Sequence, residues 1–150
     1  MDVSGNISAI LAQKGGEIFS VAPETCVDDA VRMMNEKNVG ALLVMAGEKL
    51  VGMLSERDYT RKVMLRGKKS SETEVSEIMS TNLTVARPNE GVEECLRAMT
   101  DHRFRHLPVL DENGEVIGVI SIGDLVKYVI DCQSAAIAHL ENYISGGYSG

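Results

Sequence analysis

Tryptophan is absent and phenylalanine occurs only twice in the 150 residues, so the core must be built from Val, Ile, Leu, Met and Ala. The supply is ample: 44% of residues are apolar, enough for one ordinary domain or two small ones packed together. No stretch approaches the roughly 18 unbroken apolar residues of a membrane span, and the opening MDVSGNISAI has neither a basic lead-in nor a long apolar run, so no secretory leader is expected. The three cysteines, Cys26, Cys95 and Cys132, cannot all pair and form no C-x-x-C. They read as thiols of a reduced, cytoplasmic protein. Acidic residues outnumber basic ones, giving a net charge of −7. That balance argues against non-specific nucleic-acid binding, which needs many Lys and Arg contacts to phosphates, while leaving room for a small phosphate ligand at a local basic cluster.

Catalytic signatures are missing too. His102, His106 and His139 have no metal-ligand spacing with a Cys or carboxylate pair. No Ser/His/Asp or Cys/His arrangement is recognisable, and no G-x-G-x-x-G opens a helix. The chain reads as a non-enzyme.

What is present is a repeat. Val27, Ala30, Val31 and Met34 fall on one helical face, and 65 residues later so do Val92, Cys95, Leu96 and Met99. Cys95 is thereby a core residue, and Cys26 has nothing nearby that lowers its pKa. Two short apolar runs, ALLVM at 41–45 and HLPVL at 106–110, are each followed by turn chemistry, AGEK and DENGE. The strands LVGMLS at 50–55 and VIGVIS at 116–121 come next, and each runs into a helix. Each copy reads β-α-β-β-α, mixed α and β, and is too small to fold securely alone. Two copies face to face, with pseudo-twofold symmetry and one shared core, are expected. The chain divides into an N-terminal segment (1–17) with a short helix over 7–14 stopped by Gly15-Gly16, a first repeat (18–66), a linker (67–81) ending in a helical turn at Val75–Met79, a second repeat (82–132), and a C-terminal amphipathic helix and tail (133–150). The apolar face of that last helix must bury against the repeats or another subunit. Apolar residues left over at Val126, Val129 and Ile130 point the same way, towards a homodimer.

One junction recurs: G-x-x-S-x-x-D, as Gly52, Ser55 and Asp58 and again as Gly118, Ser121 and Asp124. By itself S-x-x-D is a helix N-cap, with Ser accepting from a first-turn N–H and Asp favouring the positive helix end. But the pattern stands twice where a strand's carboxyl end meets a helix start, a usual place for phosphates and nucleotides. A carboxylate there can accept from two sugar hydroxyls while the Ser faces phosphate. Arg57, Arg61 and Lys62 after the first junction, and Arg103 and Arg105 before the second hairpin, supply positive charge; each is equally readable as part of a solvated helix face.

The stretch from VSEIMST through RHLPV to GVISIGDLVKYVI resembles a CBS domain, and NVGALLVMAGEKLVGMLSERDYTRKV resembles a second; together they cover residues 18–130. The resemblance implies a stand-alone pair of such domains, without an attached enzyme or channel. It would bind AMP, ADP or ATP, or alternatively NADH or S-adenosylmethionine, and signal to a regulated protein partner as an energy sensor. It further implies that Asp124 and Asp58 contact ribose and that Ser121 and Ser55 approach phosphate. Ser20, and Thr84 with its neighbour Val85, would line the base or phosphate pocket. Arg105, His106, Leu107 and Pro108 would offer the adenine-edge contacts of the second cleft, with Arg57 and Arg103 nearby. GALL at 40–43 lacks the corresponding Pro and basic residue. A ligand-free scaffold whose S-x-x-D pairs are only caps is the competing reading.

Overall fold

The computed structural model of the chain describes residues 5–149. The first repeat comprises β1 (Ser20–Val21), α2 (Val27–Lys37), β2 (Ala41–Ala46), β3 (Lys49–Ser55) and α3 (Glu56–Tyr59). It is preceded by α1 (Ile7–Lys14). The second comprises α5 (Val92–His102), β4 (His106–Leu110), β5 (Val116–Ser121) and α6 (Ile122–Ser149), preceded by α4 (Val75–Ile78). β1 pairs in parallel with β2, which pairs antiparallel with β3; β4 and β5 form the equivalent hairpin. Both hairpins turn on a glycine in the left-handed region, Gly47 at φ 64° and Gly114 at φ 81°, where a side chain would be strained. In the second repeat the opening strand shrinks to a single parallel bridge, Ala86 to Val109.

The expected symmetry is visible in the backbone. Glu56 N–H donates to Gly40 O (3.1 Å), and Ile122 N–H donates to Arg105 O (2.8 Å). Each bond ties the start of a repeat's last helix to the residue before its middle strand.

The two lead-in helices change places. Ile7 N–H donates to Glu90 O and Ser8 N–H to Pro88 O, at 3.0 and 2.9 Å. In the matching positions Val75 N–H donates to Thr25 O and Ser76 N–H to Pro23 O, at 2.8 and 2.9 Å. So α1, which precedes the first repeat, packs on the second, and α4, which precedes the second, packs on the first. Each repeat accordingly has its own apolar cluster, closed by the other's lead-in helix, in place of the single shared core expected from the repeat. Ile7 and Ile10 complete the cluster of Val92, Cys95, Met99, Leu107, Ile120 and Leu125. Val75 and Ile78 complete that of Val27, Ala30, Met34, Leu42, Val44 and Leu54.

The exchange explains the glycine of the recurring junction. A Cβ on Gly118 would lie 2.6 Å from Leu11 Cδ2, and one on Gly52 would lie 2.6 Å from Met79 Sδ and 3.1 Å from Ser80 O. Each strand gives up a side chain to let the crossing segment approach.

Two elements differ from expectation. The first repeat's last helix is regular only over Glu56–Tyr59 and then widens to a π-helical turn over Thr60–Met64, closed by Leu65 N–H to Thr60 O at 3.0 Å. The C-terminal helix is no separate element. α6 runs unbroken through the expected boundary at 132/133 to Ser149.

Candidate nucleotide clefts between the repeats

Both S-x-x-D junctions are capping boxes. Asp58 N–H donates to Ser55 Oγ (3.2 Å) while Ser55 N–H donates to Asp58 Oδ2 (3.0 Å). Asp124 N–H donates to Ser121 Oγ (3.1 Å) while Ser121 N–H donates to Asp124 Oδ2 (2.8 Å). The reciprocal bonds satisfy helix-end donors that would otherwise be free. They also fix each carboxylate's rotamer, so that Oδ2 faces its own backbone and Oδ1 is turned away from the cap.

Around each capped aspartate lies a cleft whose walls come from both repeats. The first, of about 400 Å³, gathers Ser55, Asp58 and Arg57 from the first repeat with Thr84, Arg103, Arg105 and His106 from the second. The second, of about 390 Å³, gathers Ser121 and Asp124 with Lys14, Phe19 and Lys37. Gly40, Ala41 and His106 line both. The His106 ring sits 3.5 Å from where a Gly40 Cβ would be, so the two repeats' middle strands begin side by side at the partition between the clefts.

Electrostatics distinguish the two sites. In the first, Arg57, Arg103 and Arg105 converge, and Arg57 donates to the carbonyl of Arg103 at 3.2 Å. Arg103 takes the left-handed cap position of α5, at φ 59°. Asp58 Oδ1 receives Lys62 Nζ at 3.1 Å and Ser80 Oγ at 3.4 Å. In the second cleft, Lys14, the last residue of α1, reaches Asp124 Oδ2 at 2.6 Å and Val119 O at 2.7 Å. Burial on its own would raise the Asp124 pKa. The hydrogen bond from Lys14 and those from Ser121, with the Lys14 charge, outweigh it and hold the carboxyl below its ordinary value. Burial first, then the Lys14 charge, pushes His106 below the ordinary histidine value; Asp124 opposes this and Arg105 reinforces it. A neutral imidazole offers one donor and one acceptor nitrogen to the partition. Among the described residues no group of three or more His, Cys, Asp or Glu side chains is arranged to hold a metal ion.

The comparisons with known proteins fit this architecture. The family model for the CBS domain matches twice, over residues 14–65 and 75–131. The chain belongs to the CBS domain family. A CBS domain-containing protein of Arabidopsis thaliana, the mitochondrial CBSX3, is 38% identical over 97% of this chain and 74% of its own length. A putative signal-transduction protein with CBS domains from Burkholderia ambifaria is similar at 46% identity and TM-score 0.81, covering 84% of this chain and 94% of its own. The CBS domain pair of protein MJ0100, solved in complex with 5′-methylthioadenosine and S-adenosyl-L-methionine, shares the fold at TM-score 0.72 and 22% identity, covering 81% of this chain and 97% of its own.

The CBS pair therefore forms its clefts across the repeat boundary, and this redistributes the expected site residues. Arg105 and His106, expected to serve the second junction, stand with Thr84 beside Asp58 in the first cleft; His106 also borders the second. Leu107 and Pro108 are buried in β4 and line neither cleft. Ser20 and Val85 also line neither; they are equivalent to each other, because the strand register matches Val21 with Val44 and Ala86 with Val109. The counterpart of Thr84 is thus Phe19, which does line the second cleft. Sequence reasoning missed Phe19, Lys14 and Asn82. The 65-residue offset applied to Thr84 points to Phe19. Lys14 was less accessible: only the match of Ile7, Ile10 and Leu11 to Val75, Ile78 and Met79 shows that α1 is a lead-in segment that crosses over.

Proposed function

We propose that this regulatory CBS pair is a non-catalytic sensor of adenosine-containing nucleotides, held in the clefts between its repeats. The carrying observation is that each aspartate whose Oδ2 closes a capping box also lines a cleft that holds cations. Every hydrogen bond described for Asp124 uses Oδ2, so a ribose hydroxyl can add to Oδ1 without breaking the cap. In the first cleft, Arg57, Arg103 and Arg105 suit phosphates, Asp58 suits the ribose, and the wall formed by Ala41, Phe104 and His106 suits a base. The adenosine ligands in the pair of MJ0100 are consistent with this reading. AMP and ATP suit the first cleft best because of its three guanidinium groups; NADH and S-adenosylmethionine are the alternatives. The walls come from both repeats, so occupancy changes how the repeats pack, and a protein partner reads that change. Only the difference in ligand affinity between the two packings can signal, typically about 1–3 kcal/mol.

Calorimetric titration with AMP, ATP, NADH and S-adenosylmethionine tests the reading. A micromolar dissociation constant, about −8 kcal/mol, for at least one of them is expected, with loss of heat in Asp58→Ala. The competing reading, a ligand-free scaffold, is favoured by one observation: both aspartates already have partners in caps and ion pairs. On that reading no nucleotide gives heat and Asp58→Ala only lowers basal stability.

A further inference from the structure

The two clefts are lined from equivalent positions of the repeats, and at those positions they differ in one direction. The 65-residue offset that takes the pairing of Val21 with Val44 to that of Ala86 with Val109 also matches the cleft walls. Arg103 corresponds to Asn38, and both take the left-handed position at a helix end, at φ 59° and φ 54°. Arg105 corresponds to Gly40, each accepting at its carbonyl the N–H that begins its repeat's last helix. Thr84 corresponds to Phe19, and Asn82 to Glu17. The first member of each pair lines the first cleft and the second member lines the second. Arg57, two residues after Ser55, corresponds to Gly123, two residues after Ser121. Every guanidinium group of the first cleft is therefore replaced by an uncharged residue, a hydroxyl by a phenyl ring, and an amide by a carboxylate.

We infer that the clefts divide their ligands by charge: the first takes phosphorylated adenosine nucleotides, and the second takes an adenosine compound without phosphate. The inference rests on the nucleotide reading above and adds the ligand class of the second cleft. The cations that remain there are already engaged. Lys14 Nζ donates to Asp124 Oδ2 at 2.6 Å and to Val119 O at 2.7 Å, and Lys37 Nζ lies 5.5 Å from the centroid of the Phe19 ring, within range of a cation–π contact. A phosphate entering this cleft would meet the carboxylates of Glu17 and Asp124 and would have to draw Lys14 out of a short charge-assisted bond. A nucleoside meets no such opposition. Asp124 serves its ribose as Asp58 does in the first cleft, and Phe19 offers the base an aromatic face, a form of contact that Thr84 cannot give. Glu17 restricts the 5′ substituent to a neutral or cationic group. With the two clefts sharing Gly40, Ala41 and His106, the chain registers both ligand classes at once.

The test is calorimetric, on the full chain, with ATP and adenosine as probes. ATP alone should bind at one molecule per chain. Adenosine titrated into the ATP-saturated protein should then bind at one further molecule per chain without displacing ATP. Phe19→Ala should weaken that second uptake about tenfold, the loss expected for one base–aromatic stack, and Phe19→Tyr, which keeps the ring, should retain it. Two molecules of ATP per chain, adenosine that only displaces ATP, or a second uptake indifferent to Phe19→Ala overturns the division of ligands and leaves the nucleotide reading standing. Absence of heat from both ATP and adenosine overturns the nucleotide reading, and the division with it.

Discussion

Replacing Ile7 by Ala perturbs the exchange of lead-in helices at its anchor. Ile7 is fully buried at the start of α1, among Ile10, Val92, Cys95 and Met99 of the second repeat's cluster. Loss of its three carbon atoms removes transfer free energy and opens a cavity; for a buried Ile→Ala change this costs about 2–5 kcal/mol. Complete burial and a backbone held on both sides, by Ile7 N–H to Glu90 O and Val92 N–H to Gly5 O, put the expected cost near 3 kcal/mol. α1 is short, eight residues, so undocking of the helix alone sets a ceiling on the measured loss. Typical domain stabilities of about 5–15 kcal/mol leave the variant folded. Urea denaturation at fixed protein concentration is the assay. With a slope of about 2 kcal/mol/M, the midpoint should fall by about 1.5 M. Leu65→Ala, at a residue 74% exposed, is the control, and about 0.5 kcal/mol or less is expected. An Ile7→Ala loss no larger than the control's would refute the docking of α1 on the second repeat, and with it the placement of Lys14 in the second cleft.

Two further outcomes follow from the same geometry. Lys14→Met should raise the pKa of both Asp124 and His106, because Lys14 lowers each; histidine NMR titration reads the second directly. For both groups the folded pKa lies below the unfolded one, so the stability each contributes is full above its unfolded value, about 6.5 for His106 and about 4 for Asp124, and is lost as pH falls through the folded value. The acid limb of wild-type stability should therefore flatten in the His106 window in Lys14→Met, and an unmoved His106 titration would contradict the contact. Among the thiols, Cys95 is buried and pushed up to about 11, by burial first and then by Glu90 and Glu94, whereas Cys26 and Cys132 are partly exposed. A thiol reagent at pH 8 should label two cysteines quickly and the third only on unfolding; three equal rates would contradict the packing.

Much of the fold was legible because the local signals agree. Val27, Ala30 and Met34 share a face at helical spacing and are buried, Gly15 ends α1 at φ 90°, and Ser55 with Asp58 forms the capping box that S-x-x-D suggests. What the sequence hid is long-range. Nothing local shows that α1 packs on the second repeat, since the decisive contacts join residues 7 and 8 to residues 90 and 88. The grouping of the clefts was hidden for the same reason: Arg105 stands with Asp58 only because both repeats contribute to the walls of one cleft. The π-helical turn at Thr60–Met64 has no pattern of its own, because one widened turn barely disturbs the spacing of the residues around it. The apolar surface of α6 was half read. Val126, Val129 and Ile130 stood out as leftover apolar surface; Val129 is instead buried in the second repeat's core, while Val126 and Ile130 are exposed and share a phase with Ile137, Leu140 and Ile144 that appears once the helix is continuous.

The most direct measurement is a crystal structure of the chain grown with saturating AMP. Ribose hydroxyls are expected within hydrogen-bonding distance of the Asp58 carboxylate, and phosphate against Arg57, Arg103 or Arg105. A nucleotide seated away from both aspartates, or both clefts left vacant at saturation, would contradict the account.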